Sequence, residues 1–206
     1  MSRTSLQTDI ANHVRHVFRS QWPVPSTELP VNLMAWVDRL EAHLVRHKSR
    51  HPQFHGAVAE QPASGVVMLV NGTDDFRVQR FTIAHELGHI LLHHHRKAQT
   101  YWWFETEANT VASEILLPWP YLEHVIRPTI PLDPEDQVRW WAQMGSALAR
   151  HAAVTESVVA YHLQDLGWLS LPVDEELVAS SALTASLPAW PAFVPQSDET
   201  RGPHLR

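Results

Sequence analysis

The sequence contains no cysteine among its 206 residues. This absence excludes disulfide bonds, thiolate metal ligands and cysteine nucleophiles, and it is typical of proteins in a reducing compartment. The chain also has no apolar run of about 18 residues, the length that a membrane-spanning helix requires. Its N-terminal segment lacks the apolar core of a signal peptide. We therefore expect a cytoplasmic protein that makes no contact with a membrane.

Positive charge is scarce as well. Lysine and arginine number 16 against 22 aspartate and glutamate residues, so the formal net charge is −6. A net-negative chain gains nothing from neutralising phosphate groups, and direct nucleic-acid binding is therefore not expected. The hydrophobic fraction of 44% is that of an ordinary globular protein.

The periodicity of the apolar residues predicts an α+β fold. Apolar residues at three- and four-residue steps predict a first helix over about residues 6–18 and a second from about residue 31. The segments HLVRHK, FHGAVAE and GVVMLVN are alternating or β-branched, and they predict two or three strands of one small sheet. Helical spacing returns over residues 78–95, 105–117 and 136–166. The helices are expected to pack against the sheet.

The segment FTIAHELGHILLHHHRK, residues 81–97, contains the motif HExxH. Residues four apart lie on the same face of a helix, so the imidazoles of His85 and His89 can converge on one metal ion. Glu86 lies about 100° round the helix from His85, beside the metal and not on it, where a carboxylate can take a proton from water. The motif therefore predicts two metal ligands and one catalytic base, and it lacks a third ligand.

Two regions offer that third ligand. His93 continues the four-residue spacing from His89, but one straight helix cannot wrap three side chains around a single ion. The segment ETEANTVASEILLP predicts a second helix with Glu107 and Glu114 on one stripe. Either carboxylate would complete a His-His-Glu set with an open fourth position, the arrangement of a catalytic site. Spacing alone does not separate the two.

The histidines that follow the motif are more simply explained by the end of the helix. Positively charged side chains near a helix C-terminus interact favourably with the helix dipole, and residues 93–97 are three histidines, an arginine and a lysine. Among these residues, His93 is the candidate for a hydrogen bond to a metal-binding histidine.

The segments RFTIAHELGHILLHH and EANTVASEILLP together resemble the ImmA/IrrE family of metallopeptidases. The likeness covers roughly residues 30–170, because FHGAVAE, VVMLVNG and LARHAAVTESVVAYHLQDLGWL are also similar to family segments. The resemblance implies a zincin-like fold, His85 and His89 as metal ligands, Glu86 as the base, and Glu107, directly before Ala-Asn, as the third ligand. It also implies Zn²⁺ as the metal, with Mn²⁺ possible. Its implied substrate is a helix-turn-helix repressor whose cleavage releases a stress-response or mobile-element regulon.

On this interpretation, residues 1–130 form a metallopeptidase domain that includes the N-terminal helices. Residues 131–170 form a helix-turn-helix-like helical pair packed on that domain, and residues 171–206 form an extended, mobile tail. Two other functions stay open. The chain could be a DNA-binding or adaptor regulator with a structural metal site, or a component of a toxin–antitoxin module. The segment VTESVVAYHLQDLG contains no lysine or arginine, which favours recognition of a protein over recognition of DNA.

Overall fold

The computed structural model describes residues 3–24, 28–51 and 53–170. Its strands are β1 (Ala42–His47), β2 (Gly56–Gln61) and β3 (Gly65–Asn71). Its helices are α1 (Arg3–Gln21), α2 (Leu33–Arg39), α3 (Phe76–Leu91), α4 (Trp102–Leu116), α5 (Trp119–Tyr121), α6 (Pro134–Trp140), α7 (Ser146–Ala152) and α8 (Glu156–Asp165). Short 3₁₀ turns cover His94–Arg96 and Arg127–Thr129, and π-helical turns cover Leu122–Ile126 and Trp141–Gly145. The predicted α+β fold is confirmed.

The sheet has three strands in the order β1-β3-β2. The central strand β3 is parallel to β1 and antiparallel to β2. Met68 and Val70 lie on one face of β3 and are fully buried, as expected where residues two apart share a face. Asn71 ends the strand, and its side-chain amide donates a hydrogen bond to the Phe54 carbonyl while its oxygen accepts one from the Ser49 backbone. This side chain ties the loop between β1 and β2 to the end of β3.

Helices α3 and α4 approach each other closely at Gly88. A β-carbon at this position would lie 2.9 Å from the carbonyl oxygen of Ala108, which belongs to the backbone of α4. A backbone atom cannot move aside as a flexible side chain can, so only glycine permits this contact. The contact fixes how near the polar residues of the two helices can come.

Helix α3 is shorter than the predicted span of residues 78–95. It ends at Leu91, and His93 takes a left-handed backbone conformation with φ 57° and ψ 28°. A residue in this conformation commonly terminates a helix, although glycine or asparagine is the usual choice. The chain therefore reverses into the 3₁₀ turn His94–Arg96, which brings that turn back beside α3.

One hydrophobic core joins the helices and the sheet. The predicted helical pair corresponds to the helices from α6 to α8, and its fully buried Leu148, Val159 and Leu163 belong to the same core as α1, α3 and α4. The division at residue 130 stays a prediction, and the tail of residues 171–206 lies outside the described residues. Within the described part of the chain, none of the helices combines the length and apolarity that crossing a membrane requires.

Candidate metal centre

Three side chains from α3 and α4 meet at one point. The Nε2 atoms of His85 and His89 are 3.0 Å apart. The carboxylate of Glu105, in the first turn of α4, lies 3.2 Å from His85 Nε2 and 3.6 Å from His89 Nε2. In the part of the chain that the structure describes, these three residues form the one group of at least three histidine, aspartate or glutamate side chains whose ligand atoms all lie within 4.8 Å of one another.

The spacing of these atoms fits a tetrahedral metal ion. Zinc lies about 2.0–2.2 Å from nitrogen and oxygen ligands, so two corners of a zinc tetrahedron are roughly 3.3–3.6 Å apart. The two Nε2 atoms are 3.0 Å apart, His85 Nε2 lies 3.2 Å from Glu105 Oε2, and His89 Nε2 lies 3.6 Å from Glu105 Oε1. These separations are close to that range. No fourth side chain from the described residues joins the cluster, and the Glu105 side chain is 64% exposed. Solvent can therefore reach the remaining corner, as a catalytic site requires.

Asn109 orients the ring of His85. Its side-chain oxygen lies 2.9 Å from His85 Nδ1, and an amide oxygen can only accept a hydrogen bond. His85 Nδ1 therefore carries the proton, which leaves the lone pair on Nε2 free to bind a metal. Glu105 and Asn109 lie four residues apart on α4, so one helical face supplies both the carboxylate and this orienting group.

The pKa values of the cluster are shifted in different directions. Burial lowers the pKa of His85, but the hydrogen bond with Glu105 and the charge of Glu86 outweigh burial and raise it overall. Burial lowers the pKa of His89 to about 4, so its ring is neutral at pH 7. The pKa of Glu105 is lowered, chiefly by the hydrogen bond with His85, so this side chain is a carboxylate. Metal binding requires neutral imidazole and ionised carboxylate.

Glu86 is buried beside the cluster. Burial raises the pKa of its carboxyl group to about 7. Strand β2 passes this side chain at Gly56, where a β-carbon would lie 3.2 Å from Glu86 Oε1 and 2.9 Å from the Leu69 carbonyl oxygen. Glycine therefore allows the strand to cover the carboxyl group without displacing it. A carboxyl group with a pKa near neutrality is suited to accept and return a proton.

Two connected cavities open next to the cluster. One of about 430 Å³ is lined by His85, Glu86 and Glu105. A groove of about 540 Å³ shares Val78, Phe81 and Asn109 with it and extends between α1, α4 and α8. The polar atoms of the cluster are thus reached through a groove with largely uncharged walls.

Glu107 lies outside the cluster, in contrast to the expectation that it is the third metal ligand. Its Oε2 atom is 2.9 Å from His94 Nε2. Glu105 and Glu107 are separated by roughly 200° around α4, because each residue advances a helix by about 100°. Only one of them can face His85 and His89, and Glu105 does so.

The other two candidates also lie elsewhere. Glu114 is buried and accepts hydrogen bonds from Arg15 and Arg19. His93 is exposed, and it is His94 whose Nδ1 atom lies 2.9 Å from His89 Nδ1. The sequence did contain a signal for Glu105, since Asn109 follows it at the same four-residue interval that separates His85 from His89. The spacing of residues on α4 alone could not show that the face with Glu105 and Asn109 is the one that lies against His85 and His89.

Comparison with known proteins identifies the family. The profile of the IrrE N-terminal-like domain, peptidase family M78, matches residues 39–164. The chain belongs to this family. The match spans α3 and α4, so it includes His85, Glu86, His89 and Glu105 of this IrrE-like domain. The resemblance that the motifs predicted is confirmed.

Other comparisons add little to this assignment. A search of curated proteins gives no significant match. Among solved structures, a Mycobacterium tuberculosis transcriptional regulator is similar, with 16% sequence identity and a TM-score of 0.45. The alignment covers 76% of this chain and 46% of that chain. The IrrE-like chain thus spans less than half the length of that regulator.

Proposed function

We propose that this IrrE-like chain is a zinc-dependent endopeptidase with His85, His89 and Glu105 as metal ligands and Glu86 as general base. The observation that carries the proposal is the approach of two Nε2 atoms and the two carboxylate oxygens of Glu105 at 3.0–3.6 Å, which is close to the spacing of a tetrahedral site. Membership of a peptidase family supports the reaction class. Mn²⁺ is the second metal to be tested.

Peptide hydrolysis at this site would require a Lewis acid and a general base. A bound zinc ion supplies Lewis acidity, which polarises the scissile carbonyl and makes water more acidic. Glu86 accepts a proton from the water whose oxygen attacks the carbonyl carbon, so that a C–O bond forms. Glu86 then gives the proton to the amide nitrogen as the C–N bond breaks, and the products are a carboxylic acid and an amine.

We propose a helix-turn-helix repressor as the substrate, as the resemblance to ImmA/IrrE proteins implies. The groove beside the metal centre supports a polypeptide substrate, because it continues from Glu86 along α4 to α8. Asp165 is the one charged side chain among the described residues that line the 540 Å³ part of the groove. A segment of the repressor without acidic side chains would suit these walls.

The test uses the helix-turn-helix repressor encoded nearest to the gene of this chain. The purified protein and repressor are incubated with Zn²⁺, with Mn²⁺ or with a chelator, and products are identified by mass spectrometry. Glu86→Gln is the matched control, because the amide has the same shape and lies outside the ligand set. We expect cleavage to slow by roughly 10²-fold or more, with zinc content unchanged. Cleavage by Glu86→Gln at the normal rate would exclude this mechanism.

A separate measurement decides between the two carboxylates. Zinc content is determined for Glu105→Ala and Glu107→Ala. Glu123→Ala is the control for the loss of one carboxylate, since Glu123 pairs with Arg127 and is not part of the cluster. We expect Glu105→Ala to lose zinc, and Glu107→Ala to reach full stoichiometry at saturating zinc. The reverse pattern would make Glu107 the ligand.

The rival function is a DNA-binding regulator with a structural metal site. Helix α8 runs from Glu156 to Asp165 with no lysine or arginine, so it offers no cation to phosphate groups. We therefore expect no tight binding to duplex DNA. Salt-sensitive binding with a slope that reports several released counterions, together with zinc binding and no cleavage of any repressor, would favour the rival.

A further inference from the structure

His89 makes a second set of contacts on the side of its ring that faces away from the metal cluster. Its Nδ1 atom lies 2.9 Å from Nδ1 of His94. On the far side of that ring, His94 Nε2 lies 2.9 Å from Oε2 of Glu107. His94 is buried, and its ring stacks on Phe104 with a centroid separation of 4.1 Å and an interplanar angle of 11°. The three polar side chains therefore form one fixed row that ends at His89.

One arrangement of protons satisfies this row when both imidazoles are neutral and Glu107 is ionised. A neutral imidazole has one N–H donor and one nitrogen acceptor, whereas an ionised carboxylate can only accept. Facing Glu107, His94 Nε2 must carry its proton, so His94 Nδ1 has the lone pair. His89 Nδ1 must then donate to it, and His89 Nε2 is left with its lone pair directed at the metal cluster.

We propose that Glu107, acting through His94, is a positioning residue that holds His89 in its metal-binding tautomer. The inference rests on the proposed function, because it takes His89 as a metal ligand. Neither Glu107 nor His94 touches the ion or the reacting atoms. The two ligand rings are thus oriented by different groups. The amide oxygen of Asn109 contacts His85 directly, whereas the carboxylate of Glu107 acts on His89 through the ring of His94.

Glu107→Gln is the informative change. An amide can donate as well as accept, so glutamine permits the opposite tautomer of His94, with a proton on Nδ1. That proton would face the one on His89 Nδ1, and His89 would have to move its own proton to Nε2, where it blocks metal binding. Loss of such a partner typically weakens metal affinity by about 10–100-fold.

The experiment measures zinc affinity by competition with a chelator for wild type, Glu107→Gln, His94→Ala and the double variant. We expect each single variant to bind zinc about 10–100-fold more weakly with a stoichiometry of one. The double variant should be no weaker than His94→Ala, because Glu107 acts only through His94. Glu60→Gln is the control, since it removes a carboxylate paired with Arg96 and should bind zinc as wild type does.

Two further readouts separate positioning from ligation. The visible spectrum of the Co²⁺-substituted Glu107→Gln protein should match that of wild type, since no ligand is lost. Nitrogen-detected NMR of the wild-type zinc protein should find the His94 proton on Nε2. A proton on His94 Nδ1, or unchanged zinc affinity in Glu107→Gln and His94→Ala, would overturn the inference while leaving the proposed function intact. A wild-type protein that binds no zinc would overturn both.

Discussion

Two of the three glutamates on helix α4 lie in opposite environments. Glu114 is 1% exposed and accepts three hydrogen bonds from the guanidinium groups of Arg15 and Arg19, at 2.7–3.0 Å. Glu105, nine residues earlier, is 64% exposed and faces the Nε2 atoms of His85 and His89. The charge of Glu114 is already compensated within the protein, whereas Glu105 and two nitrogen lone pairs form a set that a divalent cation would complete. A buried carboxylate is thus not by itself a candidate ligand; its partners decide its role.

The first prediction concerns Glu114, whose carboxylate is paired within the protein. Of the changes considered, Glu114→Ala should lower the free energy of unfolding the most. Removing the carboxylate leaves the buried Arg15 and the partly buried Arg19 without their partner, and breaking a buried ion pair in this way costs roughly 3–5 kcal/mol. The free energy of unfolding of the metal-free protein, measured by urea denaturation, should fall by that amount. Glu105→Ala is the control and should change it little. A larger loss in Glu105→Ala than in Glu114→Ala would reverse the two roles.

A second prediction concerns Glu86, which is buried without a guanidinium partner among the described residues. Its folded-state pKa of about 7 exceeds the ordinary 4.5, so between these pH values the folded protein binds a proton that the unfolded chain has released. The contribution of Glu86 to the free energy of unfolding should therefore fall as the pH rises from about 4.5 to 7. The lowered pKa values of His89, His94 and His162, each about 4, act in the opposite direction over this range, so the Glu86 contribution is read from the difference between wild type and Glu86→Gln. By pH 8 the loss amounts to roughly 3 kcal/mol, at 1.36 kcal/mol for each pKa unit.

Glu86→Gln does not titrate and should escape this loss. Denaturant titrations of the two metal-free proteins should give a difference that favours the variant at pH 8 and vanishes near pH 4.5. A constant difference across this range would contradict the raised pKa of Glu86.

Gly88→Ala should have the smallest effect on stability and should act on the metal centre. The added methyl group meets the Ala108 carbonyl oxygen at 2.9 Å, and such overpacking costs typically 1–3 kcal/mol, offset by up to about 1 kcal/mol of helix propensity. Zinc affinity should fall because α3 and α4 are pushed apart. Gly72→Ala is the control, since its nearest neighbour would be at 3.6 Å. Equal zinc affinities for the two variants would show that the close contact does not set the site.

These comparisons explain how far the sequence could lead. The placement of His85, Glu86 and His89 depends on the geometry of a single helix, and the motif therefore predicted their arrangement. The choice between Glu105, Glu107 and Glu114 depends on the rotation of α4 against α3. The close approach of Gly88 to Ala108 limits how these two helices can pack. Glu114 forms ion pairs with Arg19 and Arg15, which lie 95 and 99 residues away along the chain. Neither fact is contained in the spacing of residues along α4.

In the fold, too, some features were predictable from the sequence and others were not. Strand β3 was predictable because its β-branched and apolar residues match a buried strand. The end of α3 was not, because a histidine in the left-handed conformation replaces the glycine or asparagine that normally signals a helix end. The helical pattern of the sequence continues past Leu91, but the backbone does not follow it.

The left-handed turn at His93 also constrains how the sequence can vary. Surface connections normally tolerate insertions and deletions, and the segment between the 3₁₀ turn and α4 is exposed. The number of residues between His89 and His94, which is four, cannot change in this way. The reversal at His93 brings the ring of His94 against His89 only with this spacing. A single inserted or deleted residue there would carry His94 out of reach of both His89 and Glu107. We therefore expect related chains with this turn to carry HExxHxxxxH followed by ExExN, a longer signature than the metal-binding motif alone.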